Sequence, residues 1–438
     1  MTGMPLSFSP IEHTEAALER TCLVDDDIRS FVTTLPESAR AEAQASEARM
    51  VAGQSFGPLD GIPFAVKDNI AVAGLPTRCG TLAPSAPAHK DATVVARLRA
   101  AGGVLLGTLN MHEGALGGTT DNPFWGRCMN PLKYGYTPGG SSGGSAAAIA
   151  SGIVTVTLGT DTMGSVRIPA AYCGLWGLKP TKGRVPATGM THLSWTLDTI
   201  GPLARDPGTL GAILSVIEGP DLADPLNTPL NAGQPHPTTL VGLRLGVPDV
   251  ANLAACEDIV LVAFERFKLA LTDAGVILTP INIKDWSPGT VRRAGLLISE
   301  VEGAEVLGNT LEGLGLSDDF RAMLLYGRRA SAGQLALAYH KMQALAVSFD
   351  NAVLGLDGLL LPTAPQRAFA HDGAVPVNQA DFTSLANMVG APAITVPLCA
   401  PDGELPCAAQ IVGQRGSDHS LIAMGEFLKD LSPVLRLT

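Results

Sequence analysis

Short apolar runs alternate along the chain with segments whose apolar positions recur at helical spacing. IPFAVK and GGVLLGTL read as strands, with DATVVARLRAAG between them as a helix. IVTVTLGT is rich in β-branched residues and strand-like, and follows a helix of small residues, SAAAIASG. Further on, VGLRLGVPD reads as a strand, CEDIVLVAFERFKLALTDAG as a helix stopped at Gly275, and GLLLPTAP as a buried strand. Residues 1–53 read as helical, with Ser9 as a cap and Pro10 in the first turn, and residues 286–350 as mainly helical. GPDLADPLNTPLNAGQPHPTT, rich in Pro and Asn, reads as a surface loop. Strands alternating with helices predict an α/β fold. The expected form is a single α/β/α domain over residues 1–438, with a central mixed, largely parallel twisted sheet covered by helices on both faces. Residues 1–53 would pack on it, and residues 286–350 would form a helical region on the substrate side. No internal repeat is apparent.

Composition narrows the class. With 438 residues, 46% apolar and 16% charged, the chain can bury a large core. Its net charge of 30 − 41 = −11 argues against nucleic acid or an anionic membrane as a partner. The first twenty residues lack the basic and apolar regions of a signal peptide. The uncharged run 134–160 is too rich in Gly, Ser and Thr for a membrane span, and Pro138 interrupts it. Seven scattered cysteines without a CxxC pair suggest reduced thiols in a cytoplasmic protein, with no metal site.

Chemistry concentrates in YTPGGSSGGSAAAIASG and the DTMGSVR that follows it. These place Ser141 and Ser165 at a separation of 165 − 141 = 24 residues. Dense glycines suit a backbone that turns sharply or approaches a ligand closely. A hydroxyl nucleophile needs an exposed Oγ on a tight turn and free N–H groups to hold an oxyanion. There is no GxxxxGK[ST] motif to make the glycine loop a phosphate site.

The run GGSSGGSAAAIASG…LGTDTMGSVRIPAAYCGLWGLKPTKGR resembles the amidase signature family. GPLDGIPFAVKDNI resembles that family's lysine element. TLNMHEGALGGTTDNPFWGRCMNP, LLLPTAPQRAF and NMVGAPAITVPLCAPDGELPCAAQIVG extend the likeness to most of the chain. The resemblance implies an amidase working through a Ser–Ser–Lys triad. Ser165 would be the nucleophile of an acyl-enzyme, Ser141 the bridging serine behind a cis peptide, and Lys67 the general base. Backbone N–H groups of Thr162, Met163, Gly164 and Ser165 would form the oxyanion hole. Gly117, Gly118 and Thr119, within GALGGTT, would line the substrate pocket with Met163. Many relatives carry glycine at the position of Met163, so this side chain bears on substrate choice. No cofactor is implied.

Lysine is a base only when neutral, and the apolar flank IPFAVK would lower its pKa by burial. Asp68 would not counter this, because neighbours on a strand face opposite sides. Asp161 and Arg167 are expected to hold the nucleophile loop in shape, Ser142 to bond loop backbone, and Ser145 to help start the helix. His112 and His192 lie in no serine-hydrolase motif and are expected to be structural. Arg328, Arg329, Tyr339 and His340 are expected on a solvated helix face. The expected reaction is hydrolysis of a linear amide, with esters or carbamates as side substrates. The alternative is a glutaminase-type subunit of a glutamyl-tRNA amidotransferase. The expected partners are a small-molecule amide and water, with no nucleic acid and no membrane, in a homodimer.

Overall fold

The computed structural model describes residues 9–228 and 236–431. Helix α1 (Pro10–Ile28) starts where Ser9 Oγ accepts the Glu12 N–H at 3.2 Å, with proline at the first helical position. Strand β1 (Phe31–Thr34) separates it from α2 (Pro36–Val51). Residues 1–53 were expected to be helical throughout. FVTT is too short to show an alternation of its own, and its pairing with a distant strand makes it β.

Strand β2 (Pro63–Lys67), helix α3 (Thr93–Ala100) and strand β3 (Val104–Leu109) form a parallel crossover. A two-residue hairpin, β4 (Asp121–Asn122) and β5 (Gly126–Arg127), leads to the glycine-serine loop and α4 (Gly143–Ala150). Next come β6 (Val156–Asp161), α5 (Arg167–Tyr172), β7 (Trp176–Lys179), β8 (Thr199–Ala204) and α6 (Pro207–Ile217). Strand β9 (Arg244–Val247), helices α7 (Val250–Leu253) and α8 (Asp258–Asp273) and strand β10 (Ile277–Pro280) follow. Helices α9 (Pro288–Leu307), α10 (Asp318–Arg329) and α11 (Ala332–Ala352) pack together on one side of the site. The chain returns through β11 (Gly358–Pro362), α12 (Ser384–Met388), β12 (Ala393–Leu398), β13 (Cys407–Val412) and α13 (Asp418–Leu428). Residues 229–235 of the Pro/Asn-rich loop lie outside the described residues.

Eleven of the described strands form one mixed sheet in the order β1-β3-β2-β6-β8-β7-β12-β13-β11-β9-β10. Its two wings are parallel, β3-β2-β6 and β11-β9-β10, and antiparallel pairs join them. Helices cover both faces, giving the α/β class expected from the alternation. Every residue of β2 is buried, as a strand covered on both sides requires. Phe64 and Val66 enter the core shared with α3 and α6, whereas Ala65 enters the one shared with α4. The two-residue period then puts Lys67 on the face of Ala65, toward α4 and its preceding loop.

Candidate active site

Lys67 ends β2, and Asp161 ends the parallel neighbour β6. Val66 pairs with Leu158, so one step further Lys67 Nζ reaches Thr160 Oγ1 at 2.9 Å. Carboxyl ends of adjacent parallel strands are where open α/β sheets hold their ligands. The turn before α4 brings Ser141 Oγ to 2.7 Å from Lys67 Nζ. The Gly140–Ser141 peptide is cis. Gly140 needs to be glycine, because a Cβ there would lie 2.7 Å from the Gly118 carbonyl carbon.

Lys67 is fully buried, and burial lowers its pKa from 10.5 to about 7 against the opposing charges of Asp198, Asp161 and Cys79. Asp68 turns away toward the Gly80 N–H, and burial pushes its carboxyl up to about 7.

Ser165 sits on the turn between β6 and α5, half-buried and lining a cavity of about 380 Å³. Its carbonyl accepts the Ser142 N–H at 3.3 Å, which ties the two serine loops together. Its hydroxyl bonds no other described residue. Gly164 adopts φ +133°, a conformation that side chains oppose. Its N–H donates to Asp161 Oδ1 at 2.7 Å, which corrects its place among the free oxyanion donors. The carboxylate caps the turn and takes that hydrogen for itself.

Asp161 also receives Arg167 through Nε and Nη2, both at 3.0 Å, and Asn387 Nδ2 at 2.9 Å. Arg167 spends its other donors on Gln410 and Asn387. Both members of the pair are wholly buried. Burial alone would raise the Asp161 pKa, but the Arg167 charge and hydrogen bonds outweigh it and hold the carboxyl at about 2. Such a pair persists only because its hydrogen bonds are complete. It anchors the turn that carries Ser165, the place expected for the pair from the sequence.

Gly117, Gly118 and Met163 line the cavity. Thr119 is not among the lining residues; its carbonyl accepts the Thr137 hydroxyl at 2.7 Å and its own hydroxyl lies 3.3 Å from His112 Nδ1. Met163 rests its sulfur over α9, where a Cβ on Gly295 would come within 2.6 Å of it. Thr383 Oγ1 donates to the Met163 carbonyl at 2.6 Å. His112 is half-buried, with desolvation of its ring lowering its pKa to about 4, and His192 faces Asp198 at 3.3 Å. Ser142 exchanges hydrogen bonds with the Thr160 backbone. Ser145 lies inside α4 and donates to the Leu158 carbonyl, so it does not start that helix. Tyr339 donates to Glu302 at 2.6 Å from its half-buried place, which takes it off the solvated face expected for it, whereas Arg328, Arg329 and His340 are exposed.

Three contributors were not singled out from the sequence. Asn69 Nδ2 donates to Thr160 Oγ1 at 3.2 Å behind Lys67. Asp198 accepts the Thr162 hydroxyl at 2.5 Å and the N–H groups of Leu193 and Ser194. Arg292 reaches the cavity from α9. Asn69 stands within the KDN of the lysine element, two residues from the candidate base, and was open to notice. The other two carry no local signal.

A buried lysine against a serine, in a loop tied to a second serine on a tight turn, is an arrangement suited to hydrolysis by a hydroxyl. The family model described as Amidase matches residues 12–422, and the chain belongs to this family, whose enzymes hydrolyse amide carbon–nitrogen bonds. One of the glutamyl-tRNA(Gln) amidotransferase subunits of Chloroflexus aurantiacus (strain ATCC 29366 / DSM 635 / J-10-fl) is 35% identical over 463 residues, covering 96% of this chain and 93% of the relative. A structure described as an unexpected vestigial protein complex revealing the evolutionary origins of an s-triazine catabolic enzyme superposes with TM-score 0.91. It is 30% identical and covers 98% of this chain and 97% of its own. The native peptide amidase of Stenotrophomonas maltophilia superposes with TM-score 0.86 at 28% identity, covering 98% and 95%.

These relatives overturn the expectation of a small amide and water as sole partners, without nucleic acid. The Chloroflexus relative is named as one subunit of an enzyme for glutamyl-tRNA. The inference from net charge fails for a physical reason. A sum of −11 averages over the surface, and one chain can serve an RNA reaction while another chain holds the RNA. Among the described residues no helix is long and apolar enough to cross a membrane.

Proposed function

We propose that the chain hydrolyses a carboxamide through an acyl-enzyme on Ser165. Neutral Lys67 takes the Ser141 proton while Ser141 takes that of Ser165, and Ser165 Oγ attacks the amide carbonyl. Backbone N–H groups of Thr162, Met163 and Ser165 receive the oxyanion. Ser141 passes a proton to the departing nitrogen as the C–N bond breaks. Water then attacks the acyl-enzyme by the same relay, releasing a carboxylic acid and restoring Ser165. The observation that carries this reading is the 2.7 Å contact between Ser141 and a buried lysine whose pKa is about 7.

The near full-length likeness to an amidotransferase component supports a glutaminase-type role, releasing ammonia for transfer within a larger assembly. A stand-alone amidase is the second reading, favoured by the mainly apolar wall of the cavity, with Leu116, Ile168, Leu193, Leu296 and Val377. The purified chain would be assayed for ammonia release from glutamine and from neutral aliphatic amides. The same assay would be run after co-expression with the remaining components of a glutamyl-tRNA(Gln) amidotransferase. Glutamine turnover that emerges or rises sharply with those components supports the first reading. Full turnover of neutral amides by the chain alone, with no complex formed, supports the second. Absence of turnover in every arm would sink both.

A further inference from the structure

Among the described residues lining the Ser165 cavity, Arg292 is the single ionisable side chain. The wall is mainly apolar, with Leu296 on α9 and Met323 on α10, and also carries the uncharged polar side chains of Ser299 and Gln379. Arg292 Nε donates to Asp381 Oδ1 at 2.6 Å, and the two side chains are 17% and 9% exposed. That bond fixes the guanidinium on a short tether between α9 and the segment leading to α12. It uses one donor of five, and the Nη groups bond no other described residue. Donors left free in a mainly apolar wall, with little water around them, gain most from a ligand that is itself charged. Paired N–H groups in a rigid plane match the two oxygens of a carboxylate.

We infer that Arg292, oriented by Asp381, binds a carboxylate on the acyl part of the substrate. The substrate class is then the half-amide of a short dicarboxylic acid. Its carboxamide reaches Ser165, its methylenes lie along Leu296 and Met323, and its carboxylate meets Arg292. Glutamine falls in this class, and the inference requires no amino group on the substrate. It rests on Ser165 as the nucleophile and adds the recognition of the far end.

The test compares glutaramate with pentanamide, which has a methyl group where glutaramate has its carboxylate. Wild-type enzyme should favour glutaramate in kcat/KM. Arg292→Gln should reduce that preference by roughly 10- to 100-fold, the scale of a hydrogen bond to a charged group. An unchanged preference ratio would overturn the inference. Binding of glutarate, the dicarboxylate product, is then measured by calorimetry. It should be detected with Ser165→Ala and lost with Ser165→Ala/Arg292→Gln, and equal binding to both would overturn the inference. Turnover surviving in Ser165→Ala would instead sink the nucleophile assignment, and the glutarate comparison would still decide the role of Arg292.

Discussion

Lys67 Nζ and Ser141 Oγ meet at 2.7 Å although 74 residues separate them, and Thr160 Oγ1 holds the same nitrogen from the other side at 2.9 Å. A lysine so placed has hydroxyls for company and no carboxylate in contact. Burial with only hydroxyls in contact leaves its proton weakly held, and the same nitrogen touches Ser141, the partner that the proposed relay needs.

Ser165→Ala should lower turnover by at least about 10³-fold, because units of this kind fail when the nucleophile is lost. Ser141→Ala should be severely slowed but leave detectable acylation through water. Amide hydrolysis by purified variants, with melting curves to show that folding is intact, checks both. Near-normal turnover in Ser165→Ala would refute the assignment.

Activity should rise with pH through about 7. The folded-state pKa of Lys67 is lowered from 10.5 to about 7, so the working neutral amine is the majority form above that value and is lost below it. A kcat/KM profile measures the limb. The limb should survive His112→Gln, since burial keeps that imidazole uncharged down to about 4. A limb that vanished in this variant would point to a histidine base.

Asp161→Asn should destabilise the protein by about 3–5 kcal/mol, because it leaves the Arg167 charge buried without its partner. Urea denaturation gives the difference. A loss under about 1 kcal/mol would mean that Gln410 and Asn387 satisfy the guanidinium by themselves.

Gly295→Ala should move Met163 toward the substrate, since the new Cβ would lie 2.6 Å from the methionine sulfur at the free end of a flexible side chain. Selectivity against bulky acyl groups should sharpen, on the scale of roughly 10- to 200-fold for one or two methylenes. Met163→Gly should relax it. A panel of amides with graded acyl bulk measures both. An equal rate loss across the panel in Met163→Gly would assign this residue to the oxyanion turn instead.

Strands β2, β3, β6, β9 and β11 and the longer helices could be read from local pattern, because burial on both faces leaves runs such as PFAV and LLLP without polar interruption. The tight turns at Ser141 and Ser165 were legible too, as glycines cluster where backbone crowds backbone. What escaped depends on which strands become neighbours. Asp198 matters because β8 pairs with β6, which brings the segment before it under Thr162. Arg292 matters because α9 packs against α12, which sets its guanidinium against Asp381 on the wall of the Ser165 cavity. β1 escaped because four residues carry too little alternation to outweigh the helices on either side. Gly164 was assigned a free N–H because nothing in DTMGS shows which way the Asp161 carboxylate turns.

The parallel pairing of β2 with β6 has a consequence for the life of the chain before it is complete. Lys67 emerges early in synthesis, and its hydroxyl partners come 74 and 93 residues later. Contacts of such separation form late, after the loops between them have closed. If Lys67 is the base proposed above, a chain that stops short of these hydroxyls would carry it without a partner. On that reading turnover should appear during refolding only once β2 and β6 have paired, and its onset would time that event.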